Sequence, residues 1–147
     1  MRLTGTLTVP LPPSRAFRLF TARGEQDWVE GWKPRFPVPV EDDTVPGTVF
    51  ETDADGVTTT WVVTAREEHS RISYARVTPG HRAGTVTVAL ARDGDGDGDG
   101  DGSEVTVTYD LTPFDDEAAR ELAEFARGYT AFLRSWQDDI EAFLRAV

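Results

Sequence analysis

The chain has 147 residues and a formal net charge of −11, which is the size of one ordinary acidic domain. It contains no cysteine, which excludes disulfide bonds and thiolate metal sites. An acidic chain without a basic block is poorly suited to nucleic acid. We therefore expect no binding to nucleic acid. The chain also lacks an apolar run of membrane-spanning length and a signal-peptide pattern, so we expect a cytoplasmic protein.

The N-terminal third alternates between strand, helix and loop signals. Alternating apolar residues and threonines over Met1–Val9 predict a half-buried strand, which the following prolines end. A short helix with Phe17 and Phe20 on one side comes next, and residues 26–30 favour a second short helical turn. The loop Trp28–Pro34 carries two tryptophans around a glycine, so we expect it to fold over apolar surface.

Five further strands are predicted by apolar alternation between turn signals such as Asp55-Gly56 and Pro79-Gly80. Their predicted ranges are Thr48–Asp53, Val57–Glu67, Arg71–Thr78, Arg82–Arg92 and Glu104–Thr112. Strands joined by such short turns are antiparallel. The alternation leaves the face of Trp61 open, because both faces of its strand carry valine or threonine.

The last stretch, Asp115–Val147, reads as one long amphipathic helix with apolar residues in steps of three and four. Its stripe of rings needs a wide apolar cover, which only the strands can supply. The sequence therefore predicts an α+β fold in which a curved six-stranded antiparallel sheet wraps around this helix, with two short helices after the first strand. Gly128 lies in the middle of this helix, where a glycine costs about 1 kcal/mol of helix stability relative to alanine. It either makes room for a ligand or a close strand, or is merely tolerated.

This order of elements resembles the START-like superfamily, also called Bet v 1-like, SRPBCC or helix-grip. The nearest branch is that of polyketide cyclase/dehydrase or activator of Hsp90 ATPase-like proteins. The resemblance is carried by the long helix and by four segments, Ala16–Thr21, Trp28–Pro34, Pro46–Phe50 and Thr60–Thr64. It covers residues 1–147 as one domain. It implies a cavity for a small apolar ligand between the sheet and the C-terminal helix, roofed by the short helices.

Aromatic residues are the predicted lining of that cavity. Each ring alone could simply fill a core, but as a set they favour a residual pocket. The candidate ligand-binding residues are Phe20, Trp28, Trp32, Phe50, Trp61, Tyr74, Tyr109, Phe125, Tyr129 and Phe132.

Polar groups for chemistry are few, and the sequence assigns no catalytic residue. A tyrosine in an apolar pocket can donate to a ligand carbonyl, although its hydroxyl can equally bond to the backbone. The candidates are Tyr74, Arg76, Tyr109, Tyr129, Asp27 and Glu30. His69 and His81 lie beside turns, where we interpret them as solvated.

The Asp-Gly run over residues 93–102 is interpreted as a flexible hairpin loop. With Asp93, Asp95, Asp97, Gly98 and Glu104 it satisfies the spacing of an EF-hand calcium loop. The flanking elements are strands rather than helices, so we expect no metal and no cofactor.

Two functions from different classes follow, and a third option is a family member whose cavity is vestigial. The first is binding of a small apolar or aromatic metabolite, polyketide-like or lipid-like, with cyclisation or dehydration as the reaction if the protein is an enzyme. The alternative is a protein-interaction module of the Hsp90-activator type without turnover. A pocket of several hundred Å³ favours the first, and a filled core with an exposed apolar patch favours the second. A monomer or homodimer is compatible with either.

Overall fold

The computed structural model describes residues 1–93 and 102–147, and this part of the chain contains six strands and three α-helices. The strands are β1 (Arg2–Val9), β2 (Val49–Ala54), β3 (Val57–Glu67), β4 (Arg71–Thr78), β5 (Arg82–Asp93) and β6 (Gly102–Pro113). The helices are α1 (Pro13–Ala16), α2 (Asp116–Arg127) and α3 (Tyr129–Ala146), with 3₁₀ turns at Phe17–Phe20 and Gly24–Asp27.

The strands form one antiparallel sheet in the order β1-β6-β5-β4-β3-β2. The first strand pairs with the last, with Leu7 opposite Val105, so the chain returns to its beginning before the helices start. A register shift between Val63 and Ala65 on β3 marks a bulge, which adds local bend and twist. The structure confirms the predicted α+β helix-grip fold, and the predicted strand boundaries agree to within two residues.

Alternation sorts the side chains of the sheet onto two faces. The inner face buries apolar residues from β3 to β6, among them Val63, Ile72, Val88 and Val107. The outer face carries threonines and other partly exposed residues. The helices cover the inner face, and the hydrophobic core lies between the two layers.

The C-terminal helix is interrupted, which corrects the prediction of one unbroken helix over Asp115–Val147. Gly128 has φ −98° and ψ 10°, and it separates α2 from α3. Its N–H still bonds to the carbonyl of Glu124 at 3.3 Å, and its carbonyl accepts from the N–H of Phe132 at 2.9 Å. A Cβ atom at position 128 would find its nearest neighbours at 3.9 and 4.0 Å, the carbonyl oxygens of Phe125 and Glu124 in the preceding helix, so no strand packs closely against it.

The glycine that permits close packing is Gly5 on β1. A Cβ atom there would lie 2.7 Å from Cδ1 of Leu133 and 3.3 Å from the ring of Tyr129. α3 therefore lies directly against edge strand β1. The N–H of Thr8 on that strand donates to Oε1 of Gln137 at 2.9 Å, which further fastens helix to sheet.

Trp61, whose face the alternation left open, points inward and is 8% exposed. Its ring stacks on Phe50 with centroids 5.8 Å apart, and its Nε1 donates to Oγ1 of Thr52 at 2.9 Å. Because the indole N–H is satisfied, the ring can be buried without an unpaired donor.

Candidate functional site

A cavity of about 180 Å³ lies between the inner face of the sheet, α3 and the segment that follows β1. The segment from Phe20 to Trp32 forms its roof, and we call it the roof below. The sheet supplies Trp61, Tyr74, Arg76, Val86, Val88 and Tyr109 to the lining, the roof supplies Phe20, Glu25, Val29 and Trp32, and α3 supplies Phe132 and Trp136.

Six of the ten predicted ligand-binding residues line this cavity: Phe20, Trp32, Trp61, Tyr74, Tyr109 and Phe132. The other four pack behind the lining. Trp28 lies edge-on to Trp136 with centroids 5.3 Å apart, and Phe50 stacks behind Trp61. Phe125 and Tyr129 both pack edge-on against Tyr109. These four shape the cavity through the rings they support.

The two tryptophans of the roof are fastened by hydrogen bonds from their indole N–H groups to backbone carbonyls. Nε1 of Trp28 donates to the carbonyl of Leu19, and Nε1 of Trp32 donates to the carbonyl of Ala22, each at 2.8 Å. The aromatic loop therefore folds over apolar surface, as its composition predicts. Trp28 belongs to the hydrophobic core and Trp32 packs against it, while Glu30 and Lys33 of the same loop are exposed.

Glu25 is a polar cavity-lining residue that reasoning from the sequence missed. It sits in the 3₁₀ turn Gly24–Asp27. Part of the residue is exposed to solvent, but its carboxyl lies against the cavity. Burial raises the pKa of this carboxyl well above its usual value of 4.5, since nothing in the described part of the chain hydrogen-bonds to it. Asp27 and Glu30, the acids predicted from the sequence, are exposed.

Arg76, named from the sequence as a polar candidate, is a buried cation at the edge of the same cavity. Its guanidinium carbon lies 4.7 Å from the centre of the Trp61 ring, a cation–π contact. Its Nη2 donates to Oγ1 of Thr78 at 3.3 Å, while its Nε is buried without an acceptor. Burial, reinforced by the charge of Arg82, lowers the pKa of Arg76 to about 10.

The three tyrosines differ in whether their hydroxyl groups hydrogen-bond to the backbone. The hydroxyl of Tyr74 donates to the carbonyl of Phe20 at 2.8 Å, and that of Tyr129 donates to the carbonyl of Val107 at 2.6 Å. Tyr109 lines the cavity, and its hydroxyl makes no hydrogen bond to any described residue. Burial raises the pKa of Tyr109 far above its ordinary value, so this hydroxyl is a donor at every physiological pH.

The two histidines lie outside this cavity. Nε2 of His81 pairs with a carboxyl oxygen of Glu121 on α2, and the ring of His69 packs edge-on against Phe17. Within residues 1–93 and 102–147, no group of three or more His, Asp or Glu side chains is arranged to hold a metal ion. Asp95, Asp97 and Gly98 of the calcium-loop spacing lie outside the described residues.

The described helices include none that is both long and apolar enough to cross a membrane.

Solved structures with the same fold come from several bacteria. Protein MLL2253 of Mesorhizobium loti is 17% identical with a TM-score of 0.70, and the match covers 97% of this chain and 98% of that one. CalU16 of Micromonospora echinospora is 16% identical with a TM-score of 0.66, over 98% and 74% of the two chains. The Aha1 dimer of Colwellia psychrerythraea is 14% identical with a TM-score of 0.65, over 96% of both.

No curated protein matches the sequence significantly. The sequence profile of the family described as "Polyketide cyclase / dehydrase and lipid transport" matches residues 1–141, which is nearly the whole chain. The match runs from the start of β1 into the last turns of α3 and so includes every element that lines the cavity. The chain therefore belongs to the polyketide cyclase/dehydrase and lipid transport family of the START-like superfamily.

Proposed function

We propose that this protein binds a small apolar or aromatic metabolite, of polyketide-like or lipid-like type, in the cavity between sheet and α3. One observation carries the proposal. The polar groups of Glu25, Arg76 and Tyr109 border a cavity whose other walls are apolar or aromatic. Among the described residues, none of the three has a charged side chain or a backbone carbonyl as its partner. A few polar groups set in an apolar lining are typical of small-molecule sites, where they orient the ligand.

The size of the cavity limits the ligand. At about 180 Å³ it is smaller than the several hundred Å³ named above as favouring ligand binding over a protein-interaction role, and it lies below the usual range of drug-sized pockets. An apolar cavity of about 150 Å³ holds one benzene molecule. The part of the ligand that enters is therefore a single ring or a short acyl chain, and a larger body would extend past the roof.

Cyclisation or dehydration is the chemistry that these groups could support. Both reactions begin when a base removes a proton next to a carbonyl, which leaves negative charge on the carbonyl oxygen. Arg76 and Tyr109 would donate to that oxygen and stabilise the charge. Glu25, with its raised pKa, would exchange the proton: it takes the proton from carbon and returns it to the leaving hydroxyl or to the new alkoxide.

The experiment is a thermal-shift and native mass spectrometry screen of ring-sized and acyl compounds, compared across two matched variants. Val86→Phe places extra volume in the cavity lining, whereas Val77→Phe makes the same change at an exposed position on β4. Compounds that raise the Tm of the wild type should lose their effect in V86F and keep it in V77F. A panel in which no compound stabilises the wild type, or in which both variants respond equally, contradicts cavity binding.

A protein-interaction role of the Hsp90-activator type is the second candidate. It is favoured by an apolar groove of about 420 Å³ beside edge strand β2, in which Val38, Val45 and Val49 are exposed. Calorimetric titration with a bacterial Hsp90 tests this role. Binding that Val38→Asp weakens and V86F leaves intact would replace the first candidate with the second.

A further inference from the structure

A second pocket, of about 380 Å³, opens at the end of the sheet where β3, β4 and β5 meet α2. We call it the outer pocket. At this end the inner face changes from aliphatic to polar, because alternation brings Thr59, Arg76, Thr78 and Arg82 inward. Arg76 lines both the outer pocket and the inner cavity, so the two adjoin at this side chain.

Two partly buried arginines in the outer pocket each have one buried N–H group that lacks an acceptor. Nε of Arg76 and Nε of Arg82 are both buried, and neither has a hydrogen-bond partner among the described residues. Neither arginine forms an ion pair in the described part of the chain. Leaving such a charged donor unsatisfied is costly, because the group has lost its water without gaining an acceptor. The two positive charges also oppose one another, as the lowered pKa of Arg76 reflects.

The acids that border the outer pocket do not supply the missing acceptor. Glu121 pairs with His81, and Asp55 is exposed at the tip of the β2–β3 turn. The hydroxyl of Thr78 is already engaged by Thr59 at 2.7 Å and by Arg76 at 3.3 Å. The guanidinium pair is thus an open site for an acceptor that comes from outside the chain.

A carboxylate fits this site better than a phosphate does. Its two oxygens lie in one plane, which matches the planar edges that two guanidinium groups present. A phosphate brings further oxygens that would need additional donors, and Thr78 already has two hydrogen-bond partners. In a chain of net charge −11, a single negative charge is also easier to admit than two.

We propose that the outer pocket binds the carboxylate of an amphiphilic ligand whose apolar part lies in the inner cavity, with Arg76 and Arg82 as the carboxylate-binding residues. This inference rests on the proposed binding function and names its ligand class as an acyl or aryl carboxylic acid. Arg76 contributes to both ends of the ligand: its edge faces the carboxylate, while its face stacks on Trp61 beside the apolar part. Glu25 borders the inner cavity and is absent from the lining of the outer pocket, so it lies beside the apolar part of such a ligand rather than beside its carboxylate.

The test is isothermal titration with octanoate, octan-1-ol, acetate and inorganic phosphate as probes at pH 7. We expect octanoate to bind at least tenfold more tightly than either octan-1-ol, which lacks the charge, or acetate, which lacks the chain. Arg82→Gln should remove the advantage of octanoate over octan-1-ol, since Arg82 borders only the outer pocket of the two. Arg82→Lys should retain part of it.

Arg127→Gln is the matched control, because it removes the same charge from an exposed position at the end of α2. It should leave all four affinities unchanged, and circular dichroism checks that each variant is folded. If octan-1-ol binds as tightly as octanoate to the wild type, the proposed function stands and the carboxylate site is wrong. If phosphate binds more tightly than octanoate, or octanoate no more tightly than acetate, the link between the two pockets is overturned. If neither eight-carbon probe binds, both proposals fail.

Discussion

The hydroxyl of Tyr74 on β4 donates a 2.8 Å hydrogen bond to the backbone carbonyl of Phe20, at the start of the roof. Both residues are almost completely buried, at 4% and 1% exposure. The bond joins the middle of the sheet to a segment 54 residues earlier in the chain. It holds the roof at a fixed height above the cavity, which makes it a determinant of cavity size.

Tyr74→Phe should therefore destabilise the protein by about 1–3 kcal/mol, because the carbonyl of Phe20 remains buried without a donor. The measurement is the free energy of unfolding from urea denaturation. Tyr109→Phe is the control, since its hydroxyl lines the same cavity without a hydrogen bond, and it should cost much less. Equal losses in the two variants would show that the Tyr74 bond does not hold the roof.

Gly5→Ala should also destabilise the fold, by about 1–3 kcal/mol, because overpacking in a filled core forces side chains or backbone to shift. The added methyl group would lie 2.7 Å from Cδ1 of Leu133. Leu133 must rotate or α3 must move away from β1. The thermal unfolding midpoint reports the loss, and Leu133→Ala in the same chain should relieve part of the strain. A G5A variant as stable as the wild type would mean that α3 does not approach β1 this closely.

Gly128→Ala should raise the stability of the fold, in contrast to Gly5→Ala. A Cβ atom at this position would make only ordinary van der Waals contacts, the nearest at 3.9 Å, and the φ is a negative one that alanine can adopt. Replacing a glycine there reduces the freedom of the unfolded chain and favours helix, so the variant should gain about 0.5–1 kcal/mol. Circular dichroism at 222 nm during urea denaturation measures the change. A loss of stability would indicate that the break between α2 and α3 needs glycine.

The free energy of unfolding should fall as the pH rises because of Glu25, and Glu25→Gln should remove this pH dependence. The folded-state pKa of its carboxyl is raised above the unfolded value, near 4.5, so the folded state holds the proton more tightly. Its favourable contribution is complete below that value and is lost as the pH rises toward the folded pKa. Within this window the wild type should lose up to about 1.4 kcal/mol per pH unit relative to E25Q.

The measurement is urea denaturation of both proteins from pH 4 to pH 8. Glu30→Gln, at an exposed acid on the same loop, should run parallel to the wild type over the whole range. A stability difference between wild type and E25Q that stays constant with pH would place the Glu25 carboxyl in water instead of against the cavity.

The local pattern of apolar residues and turn signals was enough to predict the strands and the class of fold. Period-two alternation placed Leu7 and Val107 on a common inner face, and the Asp55-Gly56 turn fixed the register of the β2–β3 hairpin. Alternation failed at Trp61, where both faces looked alike, and helical periodicity missed the break at Gly128. A stripe of apolar residues continues across a single disrupted turn, so period alone does not reveal it.

The sequence by itself determined which residues are apolar, where the strands begin and end, and that the rings must converge between sheet and helix. Those properties depend on neighbours a few positions apart, which the pattern displays directly. Only the tertiary structure decided that Glu25, rather than Asp27 or Glu30, faces the cavity, and that Arg76 lies between two pockets. Three acids within six positions look alike along the chain, and their roles separate only when the roof folds over the sheet and removes one carboxyl from water.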